Sequence, residues 1–401
     1  MSAQIRRLGV LLSHPVQYYA PWFRHLAGKL ELTVFYAHRQ DARGQADAGF
    51  GVEFEWDTPL LEGYRYRWLT NVGRHPSVDS FTGCDTPEIY DILRSEPFDA
   101  FLVFGWNRKS AIQTIRACRR SKVPVLMRGD SQLRTSRSRA RSIVKYLPYR
   151  WFLPRFAGHL YVGQRNKAYL RRYGVPEERL HFAPHFVDNA FFAESAQKAK
   201  ASGKPSQIRA KLAIPGNSFV VLFAGKMIPR KRPADFIRAC LKVFDQPDGS
   251  DIHAVLVGDG PLRPSLEDMA RRCSERIHFA GFWNQTRLPG LYKACDALAL
   301  TSDGTETWGL VVNEAMACGI PAVVTDAAGC SPDLIDEGGT GYVYPLGDVE
   351  ALASRILALK SVLEQRPESV RRALAEKVAR YSMEKATEGL ESALEAVDKE
   401  K

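Results

Sequence analysis

Short, almost continuously apolar runs alternate with amphipathic stretches along most of this chain. In the first half, residues 8–13, 32–37, 100–104, 123–127 and 159–162 have the composition of strands, and 16–29, 109–121 and 164–173 carry helical periodicity. The second half repeats the alternation, with strands at 219–224, 253–257, 277–280, 297–301 and 322–325 and helices near 233–244, 262–274, 310–317 and 349–363. Strands that are apolar on both faces and alternate with helices predict parallel sheets covered on either side. Residues 38–85 are irregular and suggest no element. Residues 193–216 turn small and polar, the composition of a linker. The expected fold class is α/β, with two doubly wound, Rossmann-like domains over 1–198 and 205–382 and a helix over 383–401 returning to the N-terminal domain. Ligands of such sheets sit at the carboxyl ends of the strands, so the cleft between the domains is the expected site.

The length of 401 residues agrees with two domains. Seven scattered cysteines without a C-x-x-C predict reduced thiols and no zinc ribbon. No apolar run approaches the roughly 18 residues that span a bilayer, and the start of the chain reads as a first strand, not a signal peptide. A cytoplasmic protein is expected, peripheral on the inner face of the cell membrane if it meets a membrane at all. Charge sharpens the last point. Residues 1–200 hold 31 Lys and Arg against 18 Asp and Glu, whereas 201–401 hold 25 against 27. Residues 131–172 carry eleven cations and no acid. Such a field favours an anionic partner for the N-terminal half.

Three segments of the second half could carry chemistry. G-K-M-I-P-R-K-R-P, from Gly225 to Pro233, follows a strand and packs Lys226, Arg230, Lys231 and Arg232 into seven residues. Its glycine permits close backbone approach and its cations suit a diphosphate; a solvated basic loop would have the same composition. V-G-D-G-P-L, from Gly258, is a tight turn into a helix. The densest segment is T-S-D-G-T-E-T-W-G-L-V-V-N-E-A-M-A-C-G-I-P-A-V-V-T. A polar loop there leads into a helix whose first N–H groups, at Gly309, Leu310 and Val311, point free and favour a phosphate or a sugar hydroxyl. Glu306 precedes that helix and Glu314 lies within it, and either carboxylate can accept from sugar hydroxyls.

This last segment resembles the E-x7-E signature of glycosyltransferase family 4, the retaining GT-B enzymes. G-K-M-I-P-R-K, V-G-D-G-P-L, F-A-G-F-W, L-Y-K-A-C-D-A-L-A-L-T-S and G-T-G-Y-V-Y-P follow the family's order. The resemblance implies a GT-B fold whose C-terminal domain binds a UDP- or GDP-sugar and whose N-terminal domain binds the acceptor. By position it implies that Lys226 and Lys231 bind the diphosphate, Glu306 the donor sugar and Glu314 the ribose, with Phe282 beside the nucleobase. Lys226 stands where the family usually has arginine, and Arg232 where it usually has glycine. No D-x-D occurs, in keeping with the family's metal-independent donor binding, so neither metal nor cofactor is expected beyond the nucleotide sugar itself.

The N-terminal half matches less well. The family's frequent Gly-Gly loop is replaced by S-H-P-V-Q-Y-Y-A-P, with His14 and Gln17 facing the cleft. Asp130 falls where many members have a histidine after a strand. A carboxylate there suits a donor-sugar hydroxyl or the role of base for the acceptor, although Asp also caps and turns chains routinely. His14 and Asp130 are the catalytic candidates of this half, and His185 is read as structural. The basic segment ending W-F-L-P-R-F mixes cations with Tyr146, Leu147, Tyr149, Trp151, Phe152 and Leu153, which suits an interfacial helix on anionic lipid or a helix buried on one face. The expected activity is retaining hexosyl transfer to a hydroxyl of a lipid-linked or cell-surface glycan intermediate, as in polysaccharide or lipopolysaccharide biosynthesis. A nucleotide-sugar epimerase, or a basic nucleic-acid- or membrane-binding protein on a degenerate transferase fold, are the rivals. No nucleic-acid motif supports the last, and no nucleic-acid partner is expected.

Overall fold

The computed structural model describes residues 6–40, 53–134 and 139–399. Seven strands, β1 (Arg7–Leu12), β2 (Glu31–Tyr36), β3 (Tyr66–Trp68), β4 (Ala100–Phe104), β5 (Val125–Gly129), β6 (Gly158–Tyr161) and β7 (Leu180–Phe182), form one sheet in the order β3-β2-β1-β4-β5-β6-β7. Six more, β8 (Phe219–Ala224), β9 (Ile252–Val257), β10 (Ile277–Gly281), β11 (Ala297–Leu300), β12 (Ala322–Thr325) and β13 (Gly341–Tyr344), form a second sheet in the order β10-β9-β8-β11-β12-β13. Every pair is parallel; Leu8, for example, is in register with Leu32 on one side and Ala100 on the other. The central strands explain why. Five of the six residues in β1 are buried, as are all six in β8 and β9, and a strand with no wet face must be covered twice. Each sheet accordingly carries one apolar layer on each face, with Val10, Leu102 and Leu126 on one side of the first sheet and Leu11, Phe101 and Val103 on the other. Burying one such side chain contributes roughly 1.5–3 kcal/mol. Two domains of this construction, with their strand ends facing across a cleft, make the GT-B fold.

The small, polar residues of 193–216 are not a linker. They belong to helices Asn189–Ala201 and Lys204–Lys211. Asp188 caps the first by accepting from Phe191 N at 3.0 Å. The run A-E-S-A-Q-K-A-K-A is made largely of strong helix formers, and its small side chains allow close packing against helices Leu288–Ala294 and Leu310–Ala317. The last helix, Met383–Lys399, lies on β6 and β7 of the N-terminal sheet. Trp22 Nε1 donates to Thr387 Oγ1 at 2.9 Å. Gly389 permits the close approach, because a Cβ there would sit 2.1 Å from the carbonyl oxygen of Phe182. The chain therefore crosses between the domains twice. Among the described residues no helix is long and apolar enough to cross a membrane.

Candidate active site

The C-terminal half of the cleft is built at the ends of β8, β9 and β11. After Ala224 the chain runs through Gly225 and Lys226 into a short turn over Pro229–Lys231. Arg232 then takes a left-handed conformation, φ +50°. Glycine would hold that geometry freely; arginine holds it by pairing with Asp235, which is 5% exposed and accepts from Arg232 Nε at 2.6 Å. The turn aims Lys231 at Glu306, and the two form an ion pair with both side chains largely buried. Burial alone would raise the pKa of Glu306, but Lys231, Ser302 and Arg230 overcome it and hold the carboxyl below its usual range. Gly309 caps helix Leu310–Ala317 at φ +108°, where a Cβ would meet Leu300 at 2.6 Å.

Glu314 sits one turn into that helix and is 2% exposed. It accepts from Tyr18 Oη at 2.8 Å and from Tyr292 Oη at 2.6 Å. Burial raises its pKa to about 6 against the pull of both hydroxyls. Lys226 lies opposite; burial, and then the charges of Arg230 and Lys231, lower its pKa to about 8. Between them is a cavity of about 210 Å³, with Gln17, Tyr18 and Trp56 of the N-terminal domain on one side and Lys226, Phe282 and Glu314 on the other. Phe54 packs on Phe282 with ring centroids 4.5 Å apart, which makes this wall aromatic.

A second cavity, of about 400 Å³, opens at the carboxyl ends of β1, β4 and β5. Asp130, Trp106, Tyr149, Lys145 and His185 line it. Asp130 Oδ2 accepts from Thr307 Oγ1 at 2.6 Å. Thr307 follows Glu306 in sequence, so one loop of the C-terminal domain holds a lining residue of each cavity, Lys231 and Asp130. Gln132 reinforces this seam by donating to the carbonyl of Glu306 at 2.9 Å.

Of the candidates read from the sequence, Gly225, Lys226, Lys231, Phe282, Val311 and Glu314 line the first cavity. Glu306 reaches it through Lys231. Gly309 begins the helix behind it, and Leu310 turns into the domain core. Asp130 lines the second cavity, whereas His14 lines neither. The His14 Nδ1 lies 2.9 Å from Ser13 Oγ, and burial, then His38 and Arg108, push its pKa down to about 4. It is a neutral ring at neutral pH. His185, read as structural, also lines the second cavity, with Nε2 4.0 Å from Asp130 Oδ2. Tyr18, Trp56, Tyr292 and Thr307 were missed. The aromatic pair in S-H-P-V-Q-Y-Y-A-P was the signal for Tyr18; Tyr292 and Thr307 meet their partners 22 and 177 residues away in sequence.

Residues 205–380 match the family model described as glycosyl transferases group 1. That match spans just under half of the chain, the part that holds the second sheet. The chain is 27% identical over 222 residues to an alpha-D-kanosaminyltransferase of Streptomyces kanamyceticus, covering 55% of each protein. It is 33% identical over 188 residues to a D-inositol 3-phosphate glycosyltransferase of Mycobacterium sp. (strain JLS), covering 45% of this chain and 40% of that one. The chain thus spans about half the length, or less, of these curated relatives. Over almost its whole length it superposes on Anabaena HepE in complex with UDP, with a TM-score of 0.71 at 18% identity, covering 97% of this chain and 100% of that one. That likeness extends the GT-B fold over the N-terminal domain as well.

Proposed function

We propose that the protein is a retaining glycosyltransferase that moves a hexose from a nucleoside diphosphate sugar to a hydroxyl acceptor. The observation that carries this reading is one cleft cavity where Lys226 and Lys231 face Glu314 beside an aromatic wall. That arrangement suits a diphosphate, a ribose and a base within one nucleotide's length. In the transfer, the anomeric C–O bond breaks with its electron pair going to the diphosphate. The acceptor oxygen bonds the same face of the carbon, and its proton passes to a basic oxygen of the site. Lys226, Lys231 and the helix start at Gly309 stabilise the leaving charge as it develops. Asp130, at the mouth of the second cavity, faces the incoming hydroxyl. A thermal-shift screen across UDP-, GDP- and other nucleotide sugars tests the reading, since a ligand of the folded state raises the melting temperature. No shift with any of them would overturn it.

Because the loop 225–232 supplies its own cations, donor turnover is expected to survive EDTA. Loss of activity in chelator, with rescue by magnesium or manganese, would contradict that.

The acceptor side carries a finer reading. Helix Arg139–Phe152 turns Tyr146, Tyr149 and Phe152 into the domain core. It leaves Val144, Leu147 and Trp151 at 73%, 74% and 59% exposure, spaced by three and four residues on one face. Lys145 and Tyr149 of the same helix line the Asp130 cavity. Residues 135–138 of the basic stretch lie outside the described residues. We propose that this face rests on an anionic membrane and that the acceptor is lipid-linked, its polar end entering the second cavity. Basic residues near such a surface contribute roughly 1 kcal/mol each. The wild type is expected to co-sediment with anionic vesicles at low salt and to release them at high salt. The double variant Leu147→Ser, Trp151→Ser is expected to bind several-fold less. Equal, negligible binding to neutral and anionic vesicles would remove the membrane from the reading.

A further inference from the structure

Both oxygens of the Glu314 carboxylate are occupied by protein hydroxyls. Tyr292 holds Oε2 from helix Leu288–Ala294, within the same domain, and is fully buried. Tyr18 holds Oε1 at 2.8 Å from the turn after β1, in the other domain. The two tyrosines therefore differ in kind: one bond belongs to a domain core, whereas the other spans the cleft and can exist only while the cleft is closed. The cavity beside them, about 210 Å³, is smaller than the roughly 300–1,000 Å³ of ordinary ligand sites. Gln17, Tyr18 and Trp56 form its N-terminal wall, so the space a nucleotide lacks lies on their side. A phenol hydroxyl and a ribose hydroxyl present the same group to a carboxylate, an O–H donor at about 2.6–2.8 Å.

We infer that Tyr18 sets the nucleotide affinity of the donor site by standing on Glu314 where a ribose hydroxyl would stand. The incoming nucleotide displaces it, and Tyr292 remains as the positioning residue that keeps the carboxylate aimed. The inference rests on the reading of Glu314 as the ribose acceptor. It has a physical rationale in the empty enzyme. A buried carboxylate without partners is costly, and Tyr18 supplies one until the ribose arrives. Binding then exchanges one O–H···carboxylate bond for another, so that bond contributes little net affinity, and the released phenol turns to water as the cleft opens.

The test is calorimetric titration with UDP, GDP and ADP of the wild type, Tyr18→Phe, Tyr18→Ala, Tyr292→Phe and Glu314→Gln, each first checked for a cooperative melt. For whichever nucleotide binds the wild type, Tyr18→Phe is expected to bind about tenfold tighter, since a charge-assisted hydrogen bond no longer has to be given up. Tyr18→Ala, which also vacates the ring's space, is expected to move in the same direction. Tyr292→Phe and Glu314→Gln are expected to bind more weakly. A purely structural role for Tyr18 cannot produce a gain in affinity. Unchanged or weaker binding in both Tyr18 variants, with Glu314→Gln weakened, would overturn the inference and leave the ribose reading standing. Wild-type affinity in Glu314→Gln, or no binding of any nucleotide to the wild type, would remove that reading and the inference together.

Discussion

Replacing Glu306 with glutamine is expected to lower turnover by about 10- to 100-fold while leaving the affinity for free nucleoside diphosphate intact or improved. Replacing Glu314 with glutamine is expected to lower both. The two glutamates are eight residues apart in sequence and meet the ligand differently. Glu306 is paired with Lys231 in the empty site. On the proposed reading, the arriving donor turns Lys231 to the diphosphate and frees Glu306 for the sugar hydroxyls. Glutamine keeps an oxygen for Lys231 but loses the charge, so it competes less for that lysine and binds the sugar less well. The missing charge-assisted bond is worth roughly 1.5–3 kcal/mol, which sets the fold-change at 1.36 kcal/mol per factor of ten. Among the described residues Glu314 forms no ion pair; its partners are the hydroxyls of Tyr18 and Tyr292. On the same reading its loss is expected to fall on the ribose, and therefore on the nucleotide with or without a sugar attached. Steady-state kinetics with the donor, together with titration by the free nucleotide, separate the two patterns. Identical behaviour of the two variants would sink the assignment of separate roles, and wild-type kinetics in both would sink the site.

The contrast between these residues also marks what a sequence can reveal. The second sheet was legible almost strand by strand, because β8, β9, β11 and β12 are buried on both faces and so are apolar without interruption. Lys226, Lys231, Phe282 and Glu314 were legible because segments that follow directly on strand ends carry them to one cavity. Tyr18 was not. Its loop was expected to be helical from residue 16, but the helix begins at Ala20, with Pro21 in its first turn. The turn that remains is what lets the ring cross to Glu314, 296 residues away. The place of His185 in a cavity wall was hidden for the same reason, since its neighbours Asp130 and Trp308 come from a different strand end and from the other domain. Short edge strands such as β3 and β7, three residues each, carry too little pattern to announce themselves. Alanine-rich polar helices read as linker when their packing partners are unknown.

Affinity for the nucleoside diphosphate is expected to peak between about pH 6 and about pH 8 and to fall on either side by up to tenfold per unit. Two groups of the empty site set the limbs. Burial raises Glu314 to about 6; below that value it takes up a proton, and an oxygen that should accept from the ribose becomes a donor. Burial, with Arg230 and Lys231 adding repulsion, lowers Lys226 to about 8; above that value it sheds its proton, and the diphosphate loses a cation. The same shifts act on the empty protein in the opposite sense. Glu314 is easier to protonate folded than unfolded, so its contribution to stability is full below the unfolded value near 4.5 and is lost as pH rises through about 6. Lys226 is harder to keep charged when folded, so it destabilises the fold below about 8 and is relieved as pH rises towards 10.5. The unliganded protein thus carries both penalties in the window where the nucleotide binds best, because a site built to meet charge holds its own charges at a cost while empty. The free nucleotide's terminal phosphate also titrates near pH 6. The Glu314 limb is therefore the part of the acid decline that disappears in Glu314→Gln, and the Lys226 limb is the alkaline decline that disappears in Lys226→Arg, whose guanidinium stays charged. Calorimetric affinities from pH 5 to 9 on the three proteins read both limbs. A profile in the wild type that is flat at alkaline pH, or that both variants reproduce unchanged, would exclude these two side chains from the nucleotide site.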